Sequence, residues 1–324
     1  MSGDSGLAAL LGIGQIIDKR RFRCHEQAPH NGILRALADR SGVAAQAMAL
    51  CETLAMTRDR VQALSALPAA ALAGVRGVLT DIDDTLTTDG AITADALAAL
   101  AQLRAAGLPV VAITGRSMGW SEPFARAWPL DAIVAENGAV AFFWQGDSLV
   151  AEFAQAEAVR TANAQRLKDV AQRVLRDVSG AVLARDSAGR VTDLAIDHSE
   201  FTRLPAAQIE QVVALMRSEG MNATVSSIHI NGWFGSHTKL SGARWMVRRL
   251  FGRELESERE HWIYVGDSTN DQLMFGHFPL SVGVANLLRF ESELVVWPAY
   301  LAELERGAGF AAVAQRLLQA RAAA

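Results

Sequence analysis

The sequence predicts an α/β protein with a doubly wound parallel-sheet core, an inserted α+β module and an N-terminal helical extension. Three observations lead to this prediction. Short apolar runs such as residues 108–114 are bounded by turn residues and alternate with helical stretches, as buried parallel strands do. From residue 139 the pattern changes to hairpins between helices, which indicates an antiparallel sheet. The strand–helix alternation then resumes near residue 240, so the antiparallel module is an insertion.

The composition supports a chain with an ample hydrophobic core. The sequence has 324 residues, 50% of them hydrophobic, and a net charge of -4. This length favours more than one domain, and the mild acidity gives no reason to expect nucleic acid as a partner. Two cysteines provide no disulfide framework, which favours the cytoplasm. The apolar run at residues 6–17 is too short to span a bilayer, and its positive charges follow it, so we expect neither a signal peptide nor a membrane partner.

Three regions follow from these patterns. Residues 1–72 form the alanine-rich helical extension, and its Cys24, His25, His30 and Cys51 lack the spacing of a zinc motif. Residues 73–138 and 236–324 form the core, and residues 139–235 form the inserted module.

Each region has its expected elements. In the core we predict strands at residues 78–80, 108–114, 132–135, 261–265, 280–284 and 294–296, and helices at residues 93–106, 240–251 and 310–321. In the insertion we predict a hairpin at 139–153, a helix at 157–178, a second hairpin at 182–196, a helix at 206–219 and at least one strand within 223–230.

Four polar clusters fall at predicted strand ends or just before a helix. They are residues 81–85, residues 114–117, Lys239 and residues 267–271. On a parallel sheet these positions converge on one edge, where ligands bind. The first cluster places three carboxylates within four positions, which is costly unless a cation or a shared proton compensates. The sequence therefore indicates a metal, an anionic substrate or both at this edge.

The residue types in these clusters suit phosphoryl transfer. An aspartate can attack phosphorus, and a second one can protonate the leaving oxygen and later take a proton from water. Further carboxylates can hold Mg²⁺, a hard cation that prefers oxygen ligands. A lysine and a threonine hydroxyl can hold the transferring group.

The four clusters resemble the motifs of the haloacid dehalogenase (HAD) superfamily of phosphohydrolases. Residues 81–85 read Asp-Ile-Asp-Asp-Thr and match its DxDxT motif, while Thr114, Lys239 and residues 266–271 match the second, third and fourth motifs. The resemblance covers the chain from about residue 76 onward. The insertion, which begins near Glu-Asn-Gly-Ala at 136–139, is similar to the type IIB arrangement. The resemblance thus implies a Rossmann-like HAD core with a C2B-type cap, in the branch of Cof-like proteins, of sucrose-phosphate and mannosyl-3-phosphoglycerate phosphatases and of phosphomannomutases.

The resemblance also implies a role for each motif residue. Asp81 would be the nucleophile and Asp83 the general acid/base. The implied Mg²⁺ ligands are Asp81, Asp83 through its backbone carbonyl, Asp267, and Asp271 directly or through water. The implied phosphate and pocket residues are Thr114, Gly115, Arg116, Lys239 and Asn270, with Asn270 supporting the lysine. Asp84 stands where the family often has glycine, and we expect it to be a bystander.

Substrate choice is expected to depend on the cap. Ser227, His229 and Asn231 share one face of a predicted strand. A second polar group near the second hairpin comprises Arg190, Asp193, Asp197 and His198. Such groups can hydrogen-bond sugar hydroxyls, although each could equally belong to an ordinary polar outer face. His198 and His229 are the substrate-binding candidates that we select.

The expected function is a Mg²⁺-dependent phosphatase that acts on a small phosphorylated metabolite, with a sugar phosphate as the preferred class. One alternative is a phosphomutase, which would use the same Asp81 and Asp83 but return the phosphoryl group to a product. Another is a non-enzymatic phosphoacceptor or sugar-sensing module. Asp83 and the insertion argue against that module, because it needs neither a leaving-group acid nor a lid.

Overall fold

The computed structural model describes residues 57–324, and the predicted helices and cysteine–histidine set of residues 1–56 lie outside the described part. Residues 57–324 form fifteen strands: β1 (Gln62–Ala63), β2 (Gly77–Thr80), β3 (Thr87–Thr88), β4 (Ala91–Ile92), β5 (Val110–Ile113), β6 (Ala132–Ala135), β7 (Val140–Gln145), β8 (Ser148–Phe153), β9 (Val182–Leu183), β10 (Asp193–Asp197), β11 (Asn222–Val225), β12 (His229–Trp233), β13 (Trp262–Gly266), β14 (Leu280–Gly283) and β15 (Tyr300–Leu301).

The same residues form nine α-helices, joined in places by short 3₁₀ turns. They are α1 (Ala69–Ala73), α2 (Ala94–Ala105), α3 (Met118–Ala127), α4 (Glu157–Asp177), α5 (Ala206–Ser218), α6 (Lys239–Phe251), α7 (Leu255–Glu258), α8 (Gln272–His277) and α9 (Arg306–Ala322). Among the residues described, no helix is both long and apolar enough to cross a membrane.

A nine-stranded sheet forms the core, in the order β1-β15-β14-β13-β2-β5-β6-β7-β8. The first seven strands in this order, from β1 at the edge through β2 to β6, run parallel. Strand β7 runs antiparallel to β6, and β8 runs antiparallel to β7. Strand β2 lies in the middle, where Thr80 pairs with Val265 on one side and Ala112 on the other. The carboxyl ends of three neighbouring strands therefore lie at one level. This arrangement confirms the predicted α/β class with a parallel-sheet core.

Apolar helices cover both faces of this sheet. On one face Leu100 of α2 and Phe310 of α9 belong to a cluster with Val265 of β13. On the other face Met246 of α6 and Phe275 of α8 pack with Tyr264. Because neither face of the central strands meets water, β2, β5, β6 and β13 are buried along their whole length.

A second, four-stranded antiparallel sheet has the order β11-β12-β10-β9. Helices α4 and α5 cover one of its faces, where Val174 and Met216 pack with Ile196 and Ile230. We call residues 157–233, which contain this sheet and its two helices, the cap. Because side chains alternate along a strand, the opposite face of β10 and β12 carries the buried polar groups Asp193, Asp197, His229 and Asn231.

The structure differs from the sequence analysis at three places. The sequence pattern places the hairpin β7–β8 in the insertion, but in the structure β7 pairs with β6 and extends the core sheet. Its first residues are apolar and buried, so they suit a covered sheet rather than a cap surface. Part of the predicted helical extension also joins the core, since β1 pairs with β15.

The third difference concerns residues 294–296, which we predicted as a strand. Here the backbone N–H groups of Val295 and Val296 donate to the Oε1 atom of Gln272, at 2.6 and 2.9 Å, so they are not available to a neighbouring strand. The strand lies four residues later, at β15, where Tyr300 pairs with Val282 of β14.

Candidate active site

The site lies where β2 ends, next to the end of β13. The backbone N–H of Asp81 donates to the carbonyl of Val265 at 2.9 Å, so the first aspartate of the motif stays beside β13. The chain then turns, with the N–H groups of Thr85 and Leu86 donating to the carbonyl of Ile82. This turn buries the side chains of both Asp81 and Asp83.

Lys239 contacts two of the predicted site carboxylates. Its Nζ atom lies 2.8 Å from Oδ1 of Asp81 and 2.8 Å from Oδ1 of Asp271. The lysine is the first residue of α6, a position that Thr238 defines by capping the helix with its hydroxyl on the N–H of Ser241. Burial alone would lower the pKa of Lys239, but the charges of Asp271 and Asp81 outweigh it and raise that pKa.

Asp271 uses both of its carboxylate oxygens. Oδ2 accepts the backbone N–H groups of Asp267 and Ser268, at 2.9 and 3.1 Å, while Oδ1 accepts Lys239 and the hydroxyl of Tyr264. This carboxylate therefore fastens the loop after β13 to the lysine.

Three buried carboxylates, those of Asp81, Asp267 and Asp271, form a compact cluster. One oxygen from each lies within 4.8 Å of the others. Burial raises the pKa of Asp81 to about 7, against the lowering effect of Lys239. Burial and the charges of Asp81 and Asp271 raise the pKa of Asp267 well above its usual range. One lysine does not neutralise three carboxylates, so the cluster suits a hard divalent cation with oxygen ligands such as Mg²⁺.

The side chain of Asp83 points to the other side of the motif, toward Arg116. Both Nε and Nη2 of Arg116 lie 2.8 Å from Oδ1 of Asp83, and the Thr114 hydroxyl lies 3.4 Å from Oδ2. Thr114 and Arg116 follow β5, the strand next to β2. The guanidinium also lies over the ring of Trp120, with 4.8 Å between Cζ and the ring centroid.

A cap residue that we did not predict, Glu200, completes this group. Its Oε1 lies 2.7 Å from Nη2 of Arg116 and its Oε2 lies 2.8 Å from Nε2 of His229. Burial would raise the pKa of Glu200, but the hydrogen bonds from His229 and Arg116 lower it to about 2. Glu200 belongs to no motif, and its only sequence signal is its place in a polar stretch after a predicted strand.

The second cap histidine, His198, has a different environment. Its Nε2 lies 2.9 Å from the carbonyl oxygen of Ser226. The side chain also lines a cavity of about 430 Å³ between cap and core. The same cavity is bordered by Asp84, Asp267 and Ser227, so it reaches the carboxylate cluster.

The predicted pocket residue Gly115 also contacts the cap. The carbonyl of Gly115 accepts hydrogen bonds from Arg190, at 2.9 Å, and from Asn231, at 3.0 Å. Asp193 accepts from the same two side chains, so these three cap residues face the loop after β5.

Asn270, which we predict to support the lysine, contacts Ser268 in the structure. Its Oδ1 accepts the hydroxyl of Ser268 at 3.0 Å, and the carboxylates beside Lys239 are those of Asp81 and Asp271. The acidic residue one position later is placed to reach Lys239 because it begins the turn into α8.

Glu136 links the loop after β6 to the cap. Its carboxylate accepts the backbone N–H groups of Met118, at 2.9 Å, and Thr192, at 2.7 Å, together with the Thr192 hydroxyl. The residue is fully buried and has a φ of 49°. The start of the predicted insertion thus holds cap and core together.

Buried carboxylates and a lysine thus lie at the carboxyl edge of a parallel sheet, beneath an inserted α+β cap, an arrangement suited to phosphoryl transfer. Residues 78–182 match the family model of the haloacid dehalogenase-like hydrolases. The match confirms the predicted resemblance to this superfamily, and it supports the prediction of a phosphoric monoester hydrolase. No curated protein matches the sequence.

Solved structures share the fold at low sequence identity. The C-terminal domain of C. albicans trehalose-6-phosphate phosphatase has a TM-score of 0.57 at 15% identity, covering 82% of this chain and 99% of its own. The sucrose-phosphatase of Synechocystis has a TM-score of 0.52 at 15% identity, with coverages of 75% and 98%. A protein of Thermoplasma acidophilum has a TM-score of 0.58 at 14% identity, with coverages of 75% and 98%. These similarities show a common fold.

Proposed function

We propose that this chain is a Mg²⁺-dependent phosphatase that hydrolyses a small phosphorylated metabolite, with a sugar phosphate as the substrate class. The observation that carries the proposal is the position of Asp81. Oδ1 of Asp81 accepts a hydrogen bond from Lys239, and the carboxylate belongs to the cluster with Asp267 and Asp271. A second aspartate, Asp83, lies two residues later and contacts a different side chain, Arg116. Attack and proton transfer can therefore be divided between two carboxyl groups.

In the first step an oxygen of Asp81 attacks the phosphorus, and the bond from phosphorus to the leaving oxygen breaks. Asp83 gives its proton to that oxygen, so the alcohol leaves neutral. In the second step Asp83 takes a proton from water, whose oxygen attacks the phosphorus and releases phosphate and the Asp81 carboxylate. Lys239 and Thr114 hold the phosphoryl oxygens.

Asp81, Asp267 and Asp271 would hold the metal, with the backbone carbonyl of Asp83. When bound, Mg²⁺ supplies positive charge that offsets the negative charge of the phosphoryl group. The excess of buried carboxylates over lysine in this cluster supports the assignment.

Two observations support a sugar phosphate. The cavity beside Asp267 is bordered by the polar side chains of His198, Ser199 and Ser227, which can hydrogen-bond hydroxyl groups. In addition, two proteins of the same fold are named as phosphatases of trehalose 6-phosphate and of sucrose phosphate.

The test is phosphate release from a panel of sugar phosphates and from p-nitrophenyl phosphate, with Mg²⁺ present. We expect turnover by the wild type and none by Asp81→Asn, whose circular dichroism should be unchanged. Asp89→Asn is the matched control, because it makes the same change at a side chain that is 84% exposed, pairs with Arg306 and does not border the cavity. Undiminished turnover by Asp81→Asn would contradict the mechanism, and activation by a sugar bisphosphate without net phosphate release would indicate the phosphomutase.

A further inference from the structure

Glu200 is a cap residue held in a defined position by its own loop. The loop follows β10, and the carboxylate of Asp197 accepts the backbone N–H groups of Glu200, at 2.9 Å, and Phe201, at 3.0 Å. Asp197 is itself buried at the end of the strand. The position of Glu200 is therefore determined by the cap sheet.

The carboxylate of Glu200 reaches out of the cap to a core arginine. Arg116 is 5% exposed and Glu200 is 16% exposed at the side chain. The other carboxylate oxygen of Glu200, Oε2, accepts a hydrogen bond from Nε2 of His229 at 2.8 Å. An ion pair this well shielded from water is stronger than a surface pair.

Arg116 in turn binds only one oxygen of Asp83. Nε and Nη2 both lie 2.8 Å from Oδ1, whereas Oδ2 has the Thr114 hydroxyl at 3.4 Å. Nη2 is also the atom that Glu200 binds. Nη2 is thus shared between Asp83 and Glu200, and the guanidinium contacts one oxygen of Asp83 rather than both.

We propose, on the basis of the phosphatase function above, that Glu200 is a positioning residue for proton transfer. By holding Arg116 on Oδ1 it keeps the guanidinium away from Oδ2 of Asp83, which the Thr114 hydroxyl contacts at 3.4 Å, so that Oδ2 can carry the proton to the leaving oxygen. Without the Glu200 charge, Arg116 would pair with both oxygens of Asp83, because a guanidinium prefers two parallel hydrogen bonds to one carboxylate. Since Glu200 belongs to the cap, the acid is positioned only when the cap is docked.

Other contacts dock the cap without Glu200. Arg190 and Asn231 bind the carbonyl of Gly115, and Thr192 binds Glu136. The hydroxyl of Thr269 also donates to the cap carbonyl of Val225 at 2.6 Å. We therefore expect Glu200→Gln to fold with its cap in place.

The experiment compares two aryl esters of nearly equal size that differ in their need for a proton. Phenyl phosphate releases a basic phenolate, whereas p-nitrophenyl phosphate releases a stable anion. For Glu200→Gln we expect kcat/KM to fall about 100-fold on phenyl phosphate and less than about 5-fold on p-nitrophenyl phosphate. Because kcat/KM covers only the steps up to departure of the leaving group, the common hydrolysis of the aspartyl phosphate does not mask the difference.

Glu219→Gln is the matched control, since Glu219 is also a cap glutamate paired with an arginine, Arg173, on the surface. It should leave both rates unchanged. Glu200→Asp keeps the charge and should restore part of the loss on phenyl phosphate. His229→Asn removes the hydrogen bond of the imidazole to Oε2 of Glu200. We expect a smaller decrease in kcat/KM, which is again larger on phenyl phosphate than on p-nitrophenyl phosphate.

Two outcomes would overturn the proposal, and a third would contradict the function on which it rests. Equal losses on the two esters in Glu200→Gln would mean a structural role alone. If that variant does not fold, equal losses on both esters in Glu200→Asp and His229→Asn would have the same meaning. If the wild type hydrolysed neither ester nor any sugar phosphate, the proposed phosphatase function would be contradicted. That result is distinct from equal losses in the variants, which would contradict only the role of Glu200.

Discussion

Lys239 and Asp81 are 158 residues apart in the chain, and their side chains meet at 2.8 Å in the core. The same ammonium group lies 2.8 Å from Asp271, so one buried cation joins the ends of β2 and β13 through two carboxylates. Because all three groups are shielded from water, each depends on the others for its charged state.

Lys239→Met should therefore reduce both stability and activity. The change removes the cation and leaves buried carboxylates without a partner, which costs about 3–5 kcal/mol in the free energy of unfolding. We expect kcat to fall more than about 100-fold, because the phosphoryl oxygens lose a cation. Urea denaturation and phosphate release measure the two effects. Lys168→Met, at an exposed position of α4, is the control and should change neither the stability nor kcat. A Lys239→Met protein as stable as the wild type would contradict the buried network.

Mg²⁺ should stabilise the protein through the cluster of Asp81, Asp267 and Asp271. At a concentration of about 100 times Kd, we expect about 2.7 kcal/mol of added stability and a rise in Tm, which EDTA should reverse. Asp267→Asn should lose most of this rise, because it removes one charged ligand. Asp89→Asn should keep it, since that side chain is exposed and pairs with Arg306 away from the cluster. Differential scanning fluorimetry with and without Mg²⁺ measures the shift, and an equal shift in both variants would rule out the assigned site.

Gly138→Ala should destabilise the protein far more than Gly146→Ala. Both glycines have positive φ, 108° and 59°, so alanine is strained at each. A Cβ atom at Gly138 would also lie 2.2 Å from the carbonyl oxygen of Thr238, which precedes Lys239, whereas a Cβ at Gly146 meets nothing within 4 Å. We expect a loss of about 1–2 kcal/mol at Gly146 and at least about 3 kcal/mol at Gly138. Chemical denaturation measures both, and similar losses would show that α6 can move away from this loop.

Stability should depend on pH through His237, which is buried between β12 and α6. Burial lowers the pKa of His237 from 6.5 to about 4. Above pH 6.5 the imidazole is neutral in both the folded and the unfolded chain, so its contribution is fully present there. As the pH falls from 6.5 toward 4, the unfolded chain takes up a proton that the folded protein does not, and stability decreases by up to about 3 kcal/mol.

His237→Gln removes this titration. The free energy of unfolding should then fall less between pH 7 and pH 4.5 than in the wild type, by about 2–3 kcal/mol. Urea denaturation at the two pH values measures the difference. Parallel decreases in the two proteins would show that His237 does not contribute to acid sensitivity.

The sequence by itself determined the class of the fold and the groups at the carboxyl edge of the sheet. Apolar runs ended by polar clusters mark buried parallel strands, and the run at residues 78–80 followed by Asp81 is local information that no tertiary contact alters. The superfamily followed for the same reason, because each motif is a short stretch whose spacing is visible in the chain.

The tertiary structure alone decided which distant groups meet. Asp271, not Asn270, reaches Lys239, because the turn after β13 directs its carboxylate toward α6. The hairpin β7–β8 belongs to the core sheet because β6 offered it an unpaired edge, which periodicity does not reveal. Glu200 could not have been found from its neighbours in sequence, since its partner Arg116 is 84 residues away and a single glutamate in a loop carries no pattern. Spacing along the chain reports local geometry, whereas the pairing of charges between cap and core depends on how two separately folded sheets dock.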